Sequence, residues 1–142
     1  MFNVLTKVVL LQSVLLLFSL SNVKAYDKVY ELSLSELETL QVSENKVILN
    51  NFCIAEDDAF MAKGTSKVVV TFSVANRTDT AKHFTAMIVG LENNIIIWCV
   101  DAEPSFSSVS ENKTEECRGS AYVPPGTLKK TTKIWLRVVG DF

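Results

Sequence analysis

Apolar and polar side chains alternate most clearly between residues 66 and 100. The alternating apolar positions are Val68, Val70, Phe72 and Val74. A period of two places one face of a β-strand against a core and leaves the other face polar. Two stretches of turn-forming residues, 76–80 and 93–94, divide this region into three parts. The pattern therefore predicts three consecutive strands joined by two turns.

Weaker versions of the same alternation flank this region on both sides. Residues 30–34, 47–54, 115–123 and 132–139 each combine an apolar alternation with a boundary of turn formers. About seven short strands at regular spacing, with very little helical periodicity, are typical of a sandwich of two sheets. We expect an all-β, single-domain, antiparallel β-sandwich, with a small β-barrel as the alternative.

Two of the connections between the predicted strands have sequence patterns that predict local structure. Residues 35–40 predict a single helical turn, with Ser33 or Ser35 as its N-cap. The long polar connection that follows the third strand contains Phe106 and Val109, which we expect to insert into the core.

Residues 1–25 have the pattern of a secretory signal peptide. Lys7 precedes the apolar run 8–20, and small residues lead to a predicted cleavage site after Ala25. The run is shorter than the roughly 18 residues that span a bilayer, although an uncleaved membrane anchor is the alternative. We expect an exported protein, periplasmic or secreted, whose mature domain is residues 26–142.

Charge argues against two classes of partner. The chain has 14 basic and 16 acidic residues, and the predicted signal peptide holds Lys7 and Lys24 and no acid. The mature chain then has 12 basic and 16 acidic residues, a net charge of −4. A mildly acidic domain without a basic cluster does not favour nucleic acid or an anionic membrane surface as its partner.

Three segments resemble a known class of domain. These are VTFSVANRT (70–78), MIVGLENNIIIW (87–98) and GSAYVPPGT (119–127), followed by a closing strand. From residue 68 onward the order of strands and turns resembles small immunoglobulin-like domains of bacterial extracytoplasmic proteins. The resemblance implies an immunoglobulin-like sandwich that acts in adhesion, assembly or surface recognition, and it transfers no functional residue.

The chain has three cysteines, Cys53, Cys99 and Cys117, and an oxidising compartment favours one disulfide among them. Cys99 with Cys117 closes the shortest loop and is the pairing we expect, although pairings with Cys53 remain open. Such a loop stabilises by roughly 3 kcal/mol in the chain-entropy model. The remaining thiol is either buried and inert or available for an intermolecular bond.

Catalytic and metal-binding patterns are weak. His83 is the only histidine, and no nucleophile motif accompanies it in the sequence. No pair of cysteines or histidines has zinc-site spacing. The acidic run 56–58 has the oxygen ligands that calcium prefers, but a solvated acidic turn is the simpler interpretation. We expect no cofactor, no metal and no enzymatic activity.

Two asparagines, Asn76 and Asn112, begin the Asn-X-Thr pattern of N-glycosylation. Both lie in predicted turns or loops. They are candidate glycan sites in a eukaryote and turn formers in a typical bacterium, and we favour the bacterial interpretation.

The last predicted strand offers a candidate binding surface. Lys133, Trp135 and Arg137 alternate with apolar residues and therefore share one face. Cations beside an indole can stack on it, and Trp and Arg are enriched in binding hot spots. The alternative is that Trp135 covers the second sheet or a strand edge. Trp98, which lies in an apolar run, is expected in the core or at its rim.

These features favour an exported, non-enzymatic interaction module of the bacterial envelope or secreted space. We expect it to bind a protein partner, either through the Trp135 face or through an exposed sheet edge that takes an added strand. A carrier of a small ligand or glycan is the alternative, with Phe60, Phe106 and Tyr122 around a pocket at the loop end. A hydrolase or thiol enzyme built on His83 and a cysteine is a more remote alternative.

Overall fold

The computed structural model describes residues 26–59 and 62–142. The predicted signal peptide and Phe60 lie outside the described residues. In the described part of the chain, the elements are nine strands and two short helices. The strands are β1 (Tyr26–Leu32), β2 (Val42–Glu44), β3 (Val47–Asp58), β4 (Ser66–Asn76), β5 (Lys82–Glu92), β6 (Ile95–Ala102), β7 (Ser108–Val109), β8 (Thr114–Val123) and β9 (Lys133–Gly140). The helices are α1 (Leu34–Thr39) and α2 (Thr127–Lys130). Neither helix has the length and hydrophobicity needed to cross a bilayer.

The strands form two antiparallel sheets that pack on each other. Sheet A has the order β1-β9-β5-β6, with β7 paired to the first residues of β5, and sheet B has the order β2-β3-β4-β8. The predicted all-β sandwich is confirmed, and the described strands do not close into the alternative barrel. Strands β2 and β7 have only three and two residues. They are too short for an alternation to be visible in the sequence.

The core lies between the two sheets. The predicted inner face of β4 is confirmed, because Val68, Val70, Phe72 and Val74 are all buried in one apolar cluster. The ring of Phe72 stacks on Phe52 with 4.8 Å between centroids. Both sheets contribute side chains to this cluster, so folding of either sheet depends on the other.

Of the two predicted core insertions, only one is correct. Val109 is fully buried, whereas Phe106 is 88% exposed. Ser107 adopts a left-handed φ of 55° immediately before β7. The chain turns at this residue, so Val109 reaches the core while Phe106 stays outside.

Turns and caps follow the sequence closely. The two residues between β5 and β6, Asn93 and Asn94, both have positive φ, 52° and 65°. Left-handed residues at both positions match the right-handed twist of a two-residue hairpin, and asparagine tolerates them well. At the start of α1 the Ser33 hydroxyl accepts a hydrogen bond from the Glu36 N–H, and Glu36 accepts one from the Ser33 N–H. Ser33 is therefore the N-cap.

Trp98 lies in the core, as predicted, and a glycine makes room for it. Its Nε1 donates to the Thr131 hydroxyl at 2.8 Å, so the polar atom of the buried indole is satisfied. A Cβ atom on Gly90, the residue paired with Trp98 across the strands, would overlap the indole ring. Larger residues are therefore excluded at this position.

Candidate interaction surface

The side of sheet A that points away from the core forms a surface that we call the A face. It is built from alternate residues of β1, β9, β5 and β6. Its residues are Asp27, Val29, Glu31, Lys133, Trp135, Arg137, Val139, Thr85, Met87, Val89, Leu91, Ile96, Cys99 and Asp101. The three residues predicted to share a face, Lys133, Trp135 and Arg137, all belong to it.

Strand β1 lies beside β9 and neutralises its cations. Arg137 donates from Nε and Nη2 to the two carboxylate oxygens of Asp27, at 2.9 and 2.7 Å. Lys133 Nζ lies 2.7 Å from one carboxylate oxygen of Glu31, and Trp135 Nε1 donates to the other at 3.2 Å. In the described structure both cations bind carboxylates, and neither of them stacks on the indole.

These contacts shift the protonation equilibria of the face. The hydrogen bond from Arg137 lowers the pKa of Asp27, and the hydrogen bonds from Lys133 and Trp135 lower the pKa of Glu31. The carboxylate of Asp27 raises the pKa of Arg137 in turn. At neutral pH each acid of β1 is therefore an anion paired with a cation of β9.

The middle of the A face is apolar. Trp135 is 39% exposed and Val29 is 64% exposed. Val89 and Leu91 are buried although they lie outside the core cluster, and they pair directly with Trp135 and Lys133. Trp135 thus sits over a small second apolar cluster and remains partly open to solvent.

The opposite outer surface, which we call the B face, has a different composition. It is the side of sheet B that points away from the core. Its residues are Ser43, Ile48, Asn50, Cys53, Ala55, Asp57, Lys67, Val69, Thr71, Ser73, Ala75, Thr114, Glu116, Arg118, Ser120 and Tyr122. Tyr122 is its large exposed aromatic residue, and Lys67 Nζ lies 5.9 Å from the ring centroid. Its other members are mostly small or polar.

The predicted Cys99–Cys117 disulfide is not formed, and all three cysteines are free. Cys99 follows the inward-pointing Trp98, so its thiol lies on the A face and is exposed. Cys117 pairs with Phe72 on the inner side of sheet B and is fully buried. Burial raises the pKa of the Cys117 thiol to about 12. The sequence spacing fitted a short loop, but the two thiols point to different sides of their sheets.

His83 has an acidic partner, Asp141. Its Nδ1 lies 3.5 Å from an oxygen of Asp141, whose other oxygen accepts the His83 backbone N–H. Both residues line an open cleft of about 440 Å³ that also includes Ser107. The Ser107 hydroxyl donates to Glu103 at 2.8 Å. Within the described residues, His83 makes no hydrogen bond to a serine or cysteine, so the arrangement of a nucleophile and its base is not assembled.

The first residue of the acidic run 56–58 makes structural contacts. Glu56 points inward and accepts hydrogen bonds from the backbone N–H groups of Gly126 and Leu128, at 2.6 and 2.7 Å. Burial acts to raise the pKa of Glu56, but the hydrogen bonds from Leu128, Gly126, Ser66 and Thr127 outweigh it and lower the pKa. No three potential metal ligands cluster in residues 26–59 and 62–142. Glu56 therefore fixes α2 to sheet B.

The two Asn-X-Thr sites differ completely in environment. Asn76 is fully buried, and its Nδ2 donates to the carbonyls of Thr80, Val109 and Ser110 while its Oδ1 accepts from Thr78. Asn112 lies exposed in a turn before β8. Asn76 is a structural residue that joins three chain segments, a role its motif did not reveal. Its position at the end of a buried strand, two residues before a threonine, fits an Asx-turn.

The aromatic residues of the alternative ligand site do not meet in one described pocket. Tyr122 lines an open cleft of about 300 Å³ with Gly64 and Pro124, and Phe106 is not part of it. Phe60 lies outside the described residues.

The chain matches none of the family models, curated proteins or solved structures with which it was compared. The resemblance to immunoglobulin-like domains therefore stays a prediction from the sequence.

Proposed function

We propose that the protein is an exported, non-enzymatic interaction module of the bacterial envelope or secreted space, which binds a protein partner through the A face. The observation behind the proposal is the exposure of Trp135 and Val29 between charges that are already paired. Export is inferred from the pattern of residues 1–25.

The composition of the A face suits association with protein. Interfaces combine an apolar, aromatic centre with a polar rim, and Trp and Arg are frequent at their hot spots. On the A face Trp135 and Val29 supply the centre, and the ion pairs Asp27–Arg137 and Glu31–Lys133 flank them. Because each cation already has its anion, a partner can cover the face without leaving a charge unpaired.

A capture experiment tests the proposal. The purified protein is immobilised and exposed to the envelope and culture medium of the source organism, beside a Val29→Glu variant and a Trp135→Ala variant. Val29→Glu adds a charge at an exposed position and should leave the fold intact. The matched control is Tyr122→Ala, which removes the exposed aromatic residue of the B face.

We expect the parent and Tyr122→Ala to retain the same protein and both A-face variants to lose it. Hydrogen exchange of the complex should then show added protection in β1 and β9. Retention by Val29→Glu and Trp135→Ala, or protection confined to sheet B, would show that the A face is not the binding surface.

A further inference from the structure

The charges of the A face are segregated by strand. On β1 an acid lies on each side of Val29, and on β9 a base lies on each side of Trp135. These four charged residues are Asp27, Glu31, Lys133 and Arg137. The two neighbouring strands therefore form an acidic column and a basic column, each with an apolar residue at its centre.

Such a pair of columns is complementary to itself. A two-fold axis in the plane of the interface, parallel to the strands and midway between β1 and β9, places β1 of one copy over β9 of the other. Each acidic column then lies opposite a basic column, twice in one interface. The register places Asp27 and Glu31 of one copy opposite Val139 and Trp135 of the other, so both acids lie next to Arg137 of that copy. Closed dimers with a two-fold axis need a patch that is complementary to itself in this way.

We infer that the A face binds a second copy of this chain, with β1 of each copy over β9 of its partner. This inference rests on the proposed function and names the partner of the same face. Val29 and Trp135 are buried together in the dimer, and the ion pairs within each copy extend across the interface.

The charged groups have unused hydrogen-bonding capacity for a second partner. Arg137 uses two of its five N–H donors on Asp27, and the Lys133 ammonium uses one of its three on Glu31. The bases can therefore bind a carboxylate of the second copy without releasing the first. Networks of this kind have a more favourable free energy than isolated surface pairs.

Other two-fold arrangements of the same face are less favourable. An axis along β9 places the basic column over itself. An axis between β9 and β5 places the acidic column over β6, where Asp101 adds another negative charge. Like charges in register across an interface oppose association, so the charge pattern selects the axis between β1 and β9.

We expect a weak and rapidly exchanging dimer. We expect an interface centred on two strands to bury less than the roughly 1,000 Å² that is typical of stable specific complexes. The predicted net charge of −4 on each mature chain also opposes association at low ionic strength. The dimer should therefore be populated only at high protein concentration.

Two charge variants test the inference by sedimentation velocity. The protein is expressed from the full-length gene and purified in three forms. These are the parent, an acidic variant with Lys133→Glu and Arg137→Glu, and a basic variant with Asp27→Lys and Glu31→Lys. Each variant has columns of one sign, so it should repel its own copies, and an equimolar mixture should associate. Circular dichroism verifies that each variant is folded. If one is not, the single changes Arg137→Glu and Asp27→Arg replace the double ones.

We expect the mean mass of the parent to rise with concentration towards twice the monomer mass. Each variant should remain monomeric, and their mixture should associate at lower concentration than the parent. A matched B-face variant, Lys67→Glu with Arg118→Glu, should associate like the parent. A parent that stays monomeric into the millimolar range, or a mixture that does not associate, overturns the inference. The capture of another protein by the A face is unaffected by that result and tests the proposed function separately.

Discussion

The two outer surfaces of this sandwich are built from the same kind of antiparallel sheet, yet they differ in chemistry. On the A face Trp135 and Val29 lie exposed over the buried Val89 and Leu91, and paired charges flank them. The B face displays small and polar side chains, with Tyr122 at its end. Both sheets cover the same core, so the core does not explain the difference.

A sandwich needs apolar residues only on the inner side of each sheet, and a polar outer side is the usual arrangement. The B face follows this rule. The A face departs from it at the centre of sheet A, on β9 and β5. Apolar residues that are partly exposed and not needed to close the core are typical of binding surfaces. The inner faces of both sheets are thus explained by the need to bury a core, whereas the exposed apolar residues of the A face are not.

The largest effect we expect is the difference in thiol reactivity between the two faces and the core. Cys99 on the A face and Cys53 on the B face should both react with a thiol reagent in the native protein. Cys99 should react the more slowly of the two, because burial and the nearby Asp101 raise the pKa of its thiol. Cys117 is buried and its pKa is raised to about 12, so it should react only when the protein unfolds. Its labelling rate should be lower than that of the exposed thiols by at least about a thousand-fold.

Serine variants assign each phase of the labelling reaction. Cys99→Ser and Cys53→Ser should each remove one fast thiol and leave the other unchanged. A parent with only Cys53 reactive would indicate that the Cys99–Cys117 disulfide forms in solution.

Removal of Phe72 tests the core that the faces share. Phe72 stacks on Phe52 and also approaches Phe84, at 6.3 Å between centroids. Phe72→Ala should lower the free energy of unfolding by about 3–5 kcal/mol through cavity formation. Phe106→Ala is the matched control and should leave it nearly unchanged, because Phe106 is exposed. Equal urea midpoints for the two variants would contradict the placement of Phe72.

Removal of the exposed aromatic residue from each face gives a smaller effect. Trp135→Ala uncovers Val89 and Leu91 and should lower the free energy of unfolding by about 1–3 kcal/mol. Tyr122→Ala removes a ring that covers little of the B face and should cost less than about 0.5 kcal/mol. Thermal melts of the two variants provide the measurement. If Tyr122→Ala is the more destabilising change, the B face has an apolar cluster of its own.

Sequence alternation predicted the sandwich well because it is a local pattern with a fixed physical cause. The inner face of β4, the Ser33 cap and the Asn93-Asn94 turn all depend on neighbours within a few residues. Lys133, Trp135 and Arg137 could be placed on one face for the same reason.

Contacts between distant segments were not predictable in this way. The pairing of Arg137 with Asp27 depends on β1 lying next to β9, which no local pattern reveals. The roles of Glu56 and Asn76 likewise depend on segments distant in sequence. The disulfide prediction failed because loop length does not define the direction in which each thiol points.

The smallest expected effect is a dependence of stability on pH that originates on the A face. The pKa values of Asp27 and Glu31 are lowered in the folded state by Arg137 and Lys133. A group whose pKa is lowered on folding stabilises the protein at pH values above its unfolded pKa, about 3.9 for Asp and 4.3 for Glu. This stability is lost as the pH falls through the lower pKa of the folded state. The free energy of unfolding should therefore decrease with acidification below about pH 4.

The comparison of the two faces predicts which substitutions reduce this pH dependence of stability. Lys133→Met with Arg137→Met removes both cations, so Asp27 and Glu31 should titrate near their unfolded pKa values and the acid loss should become shallower. Glu56, whose pKa is also lowered, keeps part of the dependence in every variant. Lys67→Met with Arg118→Met is the matched control on the B face, because neither cation takes part in an ion pair among the described residues. Urea denaturation between pH 3 and 7 gives the free energy of unfolding as a function of pH. The slope of this free energy against pH should be reduced by the A-face change and not by the B-face change. If the free energy of unfolding depends equally on pH in both variants, the ion pairs of the A face do not persist in solution.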